Sequence, residues 1–251
     1  MRDERGTTAS VRKLALVTGV GRQEGIGFEV CRQLAAKNFA VVLTARTSDK
    51  ARELAAILVG EGLDVTPAAL EVTDDTSRRA AVEWVRATFG VLDVLVNNAA
   101  GMGRIGEDAA SANLTETRAA FEATFFGNWA VIQGFLPLLR ASRHARIVNV
   151  SSGAGSHGDT AFGLRTRNGM GPSYATAKAA LNALTSLLAI ELAGIVLVNA
   201  VCPGFTATFP GAESMGARPV AEGAASVVWA ALLADDGPTG GFFRDGKALP
   251  W

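Results

Sequence analysis

Several residue types that would direct this chain to other chemistries are scarce. Its 251 residues include two cysteines, Cys31 and Cys202, which lie far apart and form no CxxC pair. That excludes a disulfide framework and a thiolate metal site, and it fits a reducing cytosol. Histidine is as scarce, and His144 and His157 stand alone at no metal-ligand spacing, as surface or loop residues do. No apolar run approaches the ~20 residues of a membrane span, and Met1 to Ser10 are polar and charged, unlike a signal peptide. Neither charge sign dominates: 24 Lys plus Arg face 24 Asp plus Glu, which leaves no electrostatic footprint for nucleic acid or an anionic membrane. The expectation is a soluble cytoplasmic protein with one domain over residues 13–251 and a flexible extension over residues 1–12. Tyrosine is the scarcest residue. Tyr174 is the only one.

What is present is an alternation of short apolar runs and longer helical patterns. Leu14 to Val17, Ala40 to Thr44, Asp64 to Leu70, Val91 to Val96, Arg146 to Val150 and Ile195 to Val201 read as strands. Between them, helical patterns cover Gly25 to Lys37, Lys50 to Gly60, Asp74 to Phe89, about Leu114 to Arg140, and a run from Pro172 to about Ala193. Asp74 is placed to cap the third helix. Strands apolar on both faces and separated by helices imply a parallel sheet covered on both sides. The fold class is therefore α/β, a single-domain, doubly wound parallel β-sheet of the Rossmann type.

The turn after the first strand reads Thr18-Gly19-Val20-Gly21-Arg22-Gln23-Glu24-Gly25-Ile26-Gly27. Glycines between a strand and a helix allow a tight turn and close backbone approach to a pyrophosphate resting on the helix N-terminus. In such folds an acid at the end of the second strand bonds a ribose 2′-hydroxyl, whereas an arginine accommodates a 2′-phosphate. Here the second strand ends Thr44-Ala45-Arg46, with no acid before Asp49. Arg46 and Arg22 are placed to meet a phosphate, although either could instead be a solvated surface charge. NADP(H) is expected over NAD(H).

Tyr174 precedes Lys178 by four positions, which on a helix puts both side chains on one face, a turn apart. A phenol ordinarily titrates near ~10, and an ammonium held close favours the phenolate. The pair is thus a candidate for proton transfer, with an unrelated core aromatic and surface lysine as the alternative.

Further motifs follow in order. Leu95-Val96-Asn97-Asn98-Ala99-Ala100-Gly101 follows the fourth helical pattern's preceding strand, Ile147-Val148-Asn149-Val150-Ser151-Ser152 ends the next one, and Pro203-Gly204 with Thr208 follows the last. With the glycine turn and the Tyr174–Lys178 pair, the chain from about Lys13 onward resembles the short-chain dehydrogenase/reductase family. Phe28-Glu29 after the glycine loop makes it most similar to the NADPH-dependent carbonyl-reductase branch.

The resemblance implies that Ser152 bonds the substrate carbonyl, Tyr174 moves the proton, and Lys178 holds the nicotinamide ribose. Ser152 is chosen over Ser151 because the family's serine stands three residues before the glycine matching Gly155. The same resemblance implies cofactor contacts from Gly19, Arg22, Gly25, Ile26, Gly27, Arg46, Glu71, Val72, Asn98, Ala99, Tyr174, Lys178, Pro203, Gly204 and Thr208. It implies no metal, a small-molecule carbonyl or alcohol substrate, a substrate lid over about residues 204–220, and a homodimer or homotetramer, to which Gly241-Phe242-Phe243 could contribute.

This chain departs from the family pattern at four places. Five residues rather than three separate Gly19 from Gly25, Glu71 replaces the usual aspartate before Val72, and the stretch between Ser152 and Tyr174 is long. Thr124 stands where the family keeps an asparagine whose backbone carbonyl holds a relay water, while Asn128, one turn on, is not assigned. The lengthened glycine loop and Thr124 keep open a rival, a non-redox enzyme on the same fold; a second rival is a sensor that binds dinucleotide without turnover, against which the intact Ser152, Tyr174 and Lys178 argue.

Overall fold

The computed structural model describes residues 12–166 and 170–251, so nearly all of the expected N-terminal extension lies outside them. Strands β1 (Leu14–Val17), β2 (Ala40–Ala45), β3 (Val65–Ala69), β4 (Val94–Asn97), β5 (Arg146–Val150), β6 (Leu197–Val201) and β7 (Phe242–Arg244) run parallel. The short β8 (Lys247–Ala248) turns back antiparallel, giving the order β3-β2-β1-β4-β5-β6-β7-β8. Because the order reverses between β1 and β4, a crevice opens at the carboxyl ends of these two strands, where doubly wound folds bind ligands.

Helices cover both faces. Helices α1 (Ile26–Ala36), α2 (Ser48–Gly60) and α7 (Val220–Ala231) bury Phe28, Leu34, Leu54 and Val227 against Ala15 and Val17. On the other face α3 (Asp75–Phe89), α5 (Gly127–Arg140) and α6 (Pro172–Glu191) bury Val85, Phe135 and Leu181 against Leu14 and Leu16. Alternate residues of β1 thus enter opposite cores, which is why the strand has no polar side. Local sequence sets the helix ends: Asp74 accepts the Ser77 amide at 2.7 Å, and Gly90 leaves α3 in the left-handed region at φ 73°.

One expectation needs correction. The helix expected over Leu114 to Arg140 is broken into α4 (Leu114–Phe121), a π-helical turn (Glu122–Phe126) and α5. At Gly127 an added Cβ would lie 2.8 Å from the Glu122 carbonyl oxygen and 2.9 Å from that of Val72, so the widened turn follows from the backbone of β3's exit pressing on the helix. The Gly241-Phe242-Phe243 segment, expected to contribute to a subunit interface, supplies β7 beside β6. Phe242 is buried with its ring stacked 5.5 Å from that of Trp251, and Phe243 lies 5.0 Å from Trp229.

Phe135 has no exposed surface and fills the core between α5 and the sheet. Phe135→Ala should cost ~3–5 kcal/mol, read as a lower midpoint in denaturant unfolding.

Candidate active site

The crevice at the reversal point is laced shut at its base. Thr18 ends β1 fully buried, and its hydroxyl accepts the amides of Asn98 at 3.0 Å and Ala99 at 3.1 Å. Asn98 returns its side-chain amide to the Thr18 and Gly19 carbonyls, at 2.8 and 3.2 Å. Gly19 turns at φ 69°, and a Cβ there would sit 2.5 Å from the α-carbon of Ala99; one on Gly27 would sit 2.5 Å from Nδ2 of Asn98. These two glycines are required first by the protein's own packing.

Above this base lies a cavity of about 390 Å³. Gly19, Arg22, Gly25, Ile26 and Gly27 line one end together with Arg46 and Asn98. Tyr174, Lys178, Pro203 and Thr208 line the other. The two extra residues of the glycine loop, Gln23 and Glu24, form an exposed turn closed by the Gly25 amide on the Arg22 carbonyl at 3.2 Å, so the insertion bulges into solvent and leaves Arg22 facing the cavity.

Four expected cofactor contacts lie outside this lining: Glu71, Val72, Ala99 and Gly204. Val72 is buried in the core, and Ala99 is held behind Gly19. The Glu71 carboxylate accepts the amide and hydroxyl of Thr73 at 3.1 and 2.9 Å, and lies 4.0 Å from the Arg46 guanidinium, whose side chain is 85% exposed. A second cavity of about 280 Å³ under the opposite strand ends contains no candidate residue; Lys37 and Arg146 there face the C-termini of α1 and α7.

Ser152, Tyr174 and Lys178 come together. The Ser152 side chain lies near enough to the Tyr174 phenol to favour its phenolate. Ser151, the alternative, is buried and gives its hydroxyl to Oδ1 of Asn182 at 2.5 Å, which commits it to α6. Lys178 is 2% exposed; its Nζ donates to the Val150 carbonyl at 2.6 Å and lies 5.6 Å from the centre of the Tyr174 ring. An ammonium has three donors, and this one lines the cavity, so donors remain to meet a ligand hydroxyl.

Thr124 and Asn128, one turn apart and both fully buried, act as a pair. The Thr124 hydroxyl accepts the Gly101 amide at 2.9 Å and faces the Gly101 carbonyl at 3.2 Å. Asn128 donates to the Ala99 carbonyl at 2.9 Å and to the Thr124 carbonyl at 2.8 Å. The carbonyl to which the family resemblance assigns a water therefore carries a side-chain amide. Asn128, left unassigned from the sequence, is the residue that makes this contact. Its i, i+4 spacing from Thr124 was the available signal.

The family model for short chain dehydrogenase matches residues 13–216. The chain belongs to that family. It is 32% identical to salutaridine reductase of Papaver bracteatum, covering 96% of this chain and 97% of that one. Carbonyl reductase [NADPH] 3 of Mus musculus is 31% identical, with 97% and 100% covered. Among solved structures, NADPH-bound carbonyl reductase from chicken fatty liver superposes with a TM-score of 0.81 at 27% identity, covering 96% of this chain and 100% of that one.

In this short-chain dehydrogenase the tyrosine's electrostatics differ from the expectation. Burial pushes the Tyr174 phenol up to about 12, and the Ser152 side chain offsets only part of that. The Lys178 ammonium lies beside the ring and is tied to Val150, so it does not reverse the shift. Burial also lowers Lys178 itself, to about 8. On the substrate side of the cavity stands Met102, with Phe205 and Phe209 paired at 6.5 Å beyond Pro203. The long stretch before Tyr174 folds around the buried Asp159, while residues 167–169 of its basic portion lie outside the described residues. No described helix is long and apolar enough to cross a membrane, and no metal-binding cluster occurs among the described residues.

Because the chain has one tyrosine, the near-ultraviolet absorbance of tyrosinate reports Tyr174 alone. The cofactor-free folded protein should show almost no tyrosinate at pH ~10, where a free tyrosine is half ionised. Ser152→Ala should move the onset still higher by removing the hydroxyl that favours the phenolate.

Proposed function

We propose that the protein is an NADP(H)-dependent oxidoreductase that transfers hydride between the nicotinamide and a ketone or secondary alcohol of a small organic molecule. One observation carries this reading: Tyr174 and Lys178, with Ser152 beside the tyrosine, line the same glycine-rich cavity as Arg22 and Arg46. The named relatives, among them salutaridine reductase and an NADPH carbonyl reductase, support it.

In this reading the glycine turn receives the pyrophosphate, and Arg22 and Arg46 meet the 2′-phosphate. When bound, the cofactor supplies the hydride. Ser152 donates to the substrate oxygen and stabilises the charge that develops there. Tyr174 delivers its proton to that oxygen, and its raised affinity for the proton keeps it loaded at neutral pH. Lys178 holds the ribose hydroxyls through the donors that Val150 does not take.

The segment 204–220 is the lid over the substrate. Thr206 and Arg218 bridge its two ends, and the exposed Phe209 and Met215 give it an apolar surface suited to a largely apolar carbonyl compound. The buried free thiols Cys31 and Cys202 support a cytoplasmic setting.

A fluorescence titration tests the cofactor assignment. NADPH should bind more tightly than NADH, and Arg46→Ala should weaken NADPH about tenfold or more, the loss of one charge-assisted contact, with little change for NADH. Equal weakening of both would refute the phosphate role of Arg46. Tyr174→Phe should lower kcat by ~10²–10⁴-fold in carbonyl reduction while NADPH affinity holds; turnover near the unsubstituted level would exclude Tyr174 as the proton donor.

A further inference from the structure

The sulfur of Cys202 stands where three parts of the chain meet. Cys202 follows β6, immediately before Pro203 and Gly204, and is 4% exposed. Its Sγ accepts the Gly153 amide at 3.2 Å, the Gly204 amide at 3.4 Å and Nη2 of Arg244 at 3.2 Å. Gly153 adjoins Ser152, Gly204 belongs to the loop at the cavity's Pro203 end, and Arg244 ends β7. The same Nη2 of Arg244 donates to the Asp159 carboxylate at 3.0 Å. Asp159 in turn accepts the amides of Ala161 and Phe162 at 2.8 and 2.9 Å, with its side chain 4% exposed.

The ion pair also rests directly on the serine turn. A Cβ on Gly153 would lie 2.3 Å from the Asp159 carboxylate and 2.8 Å from Nη2 of Arg244, so the pair occupies the space above this residue. Ser152 itself accepts the Ala154 amide on its hydroxyl at 3.1 Å, and that side chain is the one that favours the Tyr174 phenolate. The turn that carries the serine is thus pressed from above by Arg244–Asp159 and held from below by sulfur. A polarisable sulfur accepts long, soft hydrogen bonds, which suits one atom shared by three donors.

We propose that Arg244, paired with Asp159 and acting through the Cys202 sulfur, is a positioning residue that sets the Ser152 turn against the Pro203–Gly204 loop. The statement about turnover rests on the proposed oxidoreductase reading; the statement about geometry does not. Arg244 touches neither Ser152 nor Tyr174. It fixes Gly153 and Cys202, and through them the direction in which Ser152 presents its hydroxyl to Tyr174. Reactive groups displaced by ~1 Å commonly cost on the order of 10²-fold in rate, so small slack in this clamp is sufficient to be measured.

The test uses Arg244→Met, Arg244→Lys and Asp159→Asn in the full chain, each checked for unchanged circular dichroism. Two readouts are taken: the tyrosinate titration of Tyr174, which needs no turnover, and steady-state carbonyl reduction with NADPH. Arg244→Met should shift the Tyr174 titration upward, as loss of the Ser152 contact would, and lower kcat roughly tenfold or more with the KM for NADPH little changed. Arg244→Lys, which keeps a donor and a charge, should restore most of both.

Where Arg244→Met leaves Asp159 unpaired and the chain fails to fold, Asp159→Asn decides, because it keeps the shape and removes the charge. A folded Arg244→Met or Asp159→Asn protein with the native tyrosine titration overturns the proposal. If the unsubstituted protein reduces no carbonyl while the titration still responds to Arg244, the oxidoreductase reading fails and the clamp stands.

Discussion

The site depends on one buried hydroxyl. Thr18 ends β1 by accepting two consecutive amides, from Asn98 and Ala99, and so joins the strand that begins the fold to the strand on the far side of its reversal point. The left-handed turn at Gly19 can lie flat on Ala99 because this bond holds the two exits together. Everything placed above follows: the glycine turn faces a cavity, the N-terminus of α1 points into it, and Asn98 is locked with its amide toward the β1 exit. Thr124 and Asn128 continue the same work one step further, pinning Gly101 and Ala99 to the π-helical turn. A single polar thread thus runs from β1 through the β4 exit into α5.

Against this rigid base, the charged residues are held at a cost. Lys178 is almost wholly buried, and its fall from 10.5 to about 8 corresponds to about 3 kcal/mol by which the environment disfavours the ammonium. The sign is that of a buried cation: the unfolded chain binds this proton more readily, so the penalty is present at neutral pH and fades as pH rises through about 8 toward the ordinary lysine range. The phenol of Tyr174 shifts in the opposite sense because its charged form is the deprotonated one. Two titratable groups on one helical face are therefore both biased toward neutrality by the same desolvation. An incoming ligand that supplies hydroxyls or negative charge would find the lysine's donors uncommitted but for Val150.

Much of this was legible in the sequence, and the reasons differ by residue. The strands β1 and β2 are near-continuous apolar runs, the pattern of doubly buried parallel strands, whereas β5 carries Arg146 and Asn149 among its apolar residues. Tyr174 and Lys178 share a face because helix geometry is local. Other features depend on distant contacts. The break in the helix at Glu122–Phe126 comes from the Val72 backbone, some fifty positions away in the chain, and leaves only a glycine as its trace. That Phe242 and Phe243 form a strand beside β6 depends on a partner distant in the chain, which no local pattern announces. The direction of the Tyr174 shift could not be read from a spacing, since it turns on the depth at which the ring is buried and on Val150 holding the ammonium. Glu71 and Val72 owe their places to tertiary contacts that a sequence pattern does not announce: the first is engaged by Thr73 and the second belongs to the core.

The two margins of the sheet carry a further consequence. Its outer strand β3 has Pro67 at its centre, paired in register with Leu43, and a proline presents no N–H to a newcomer. The opposite margin is β8, two exposed residues long and headed by Lys247. Short, charged or proline-bearing margins are how sheets avoid being extended by another molecule's backbone. Both margins of the sheet thereby offer little backbone for another molecule's strand to pair with.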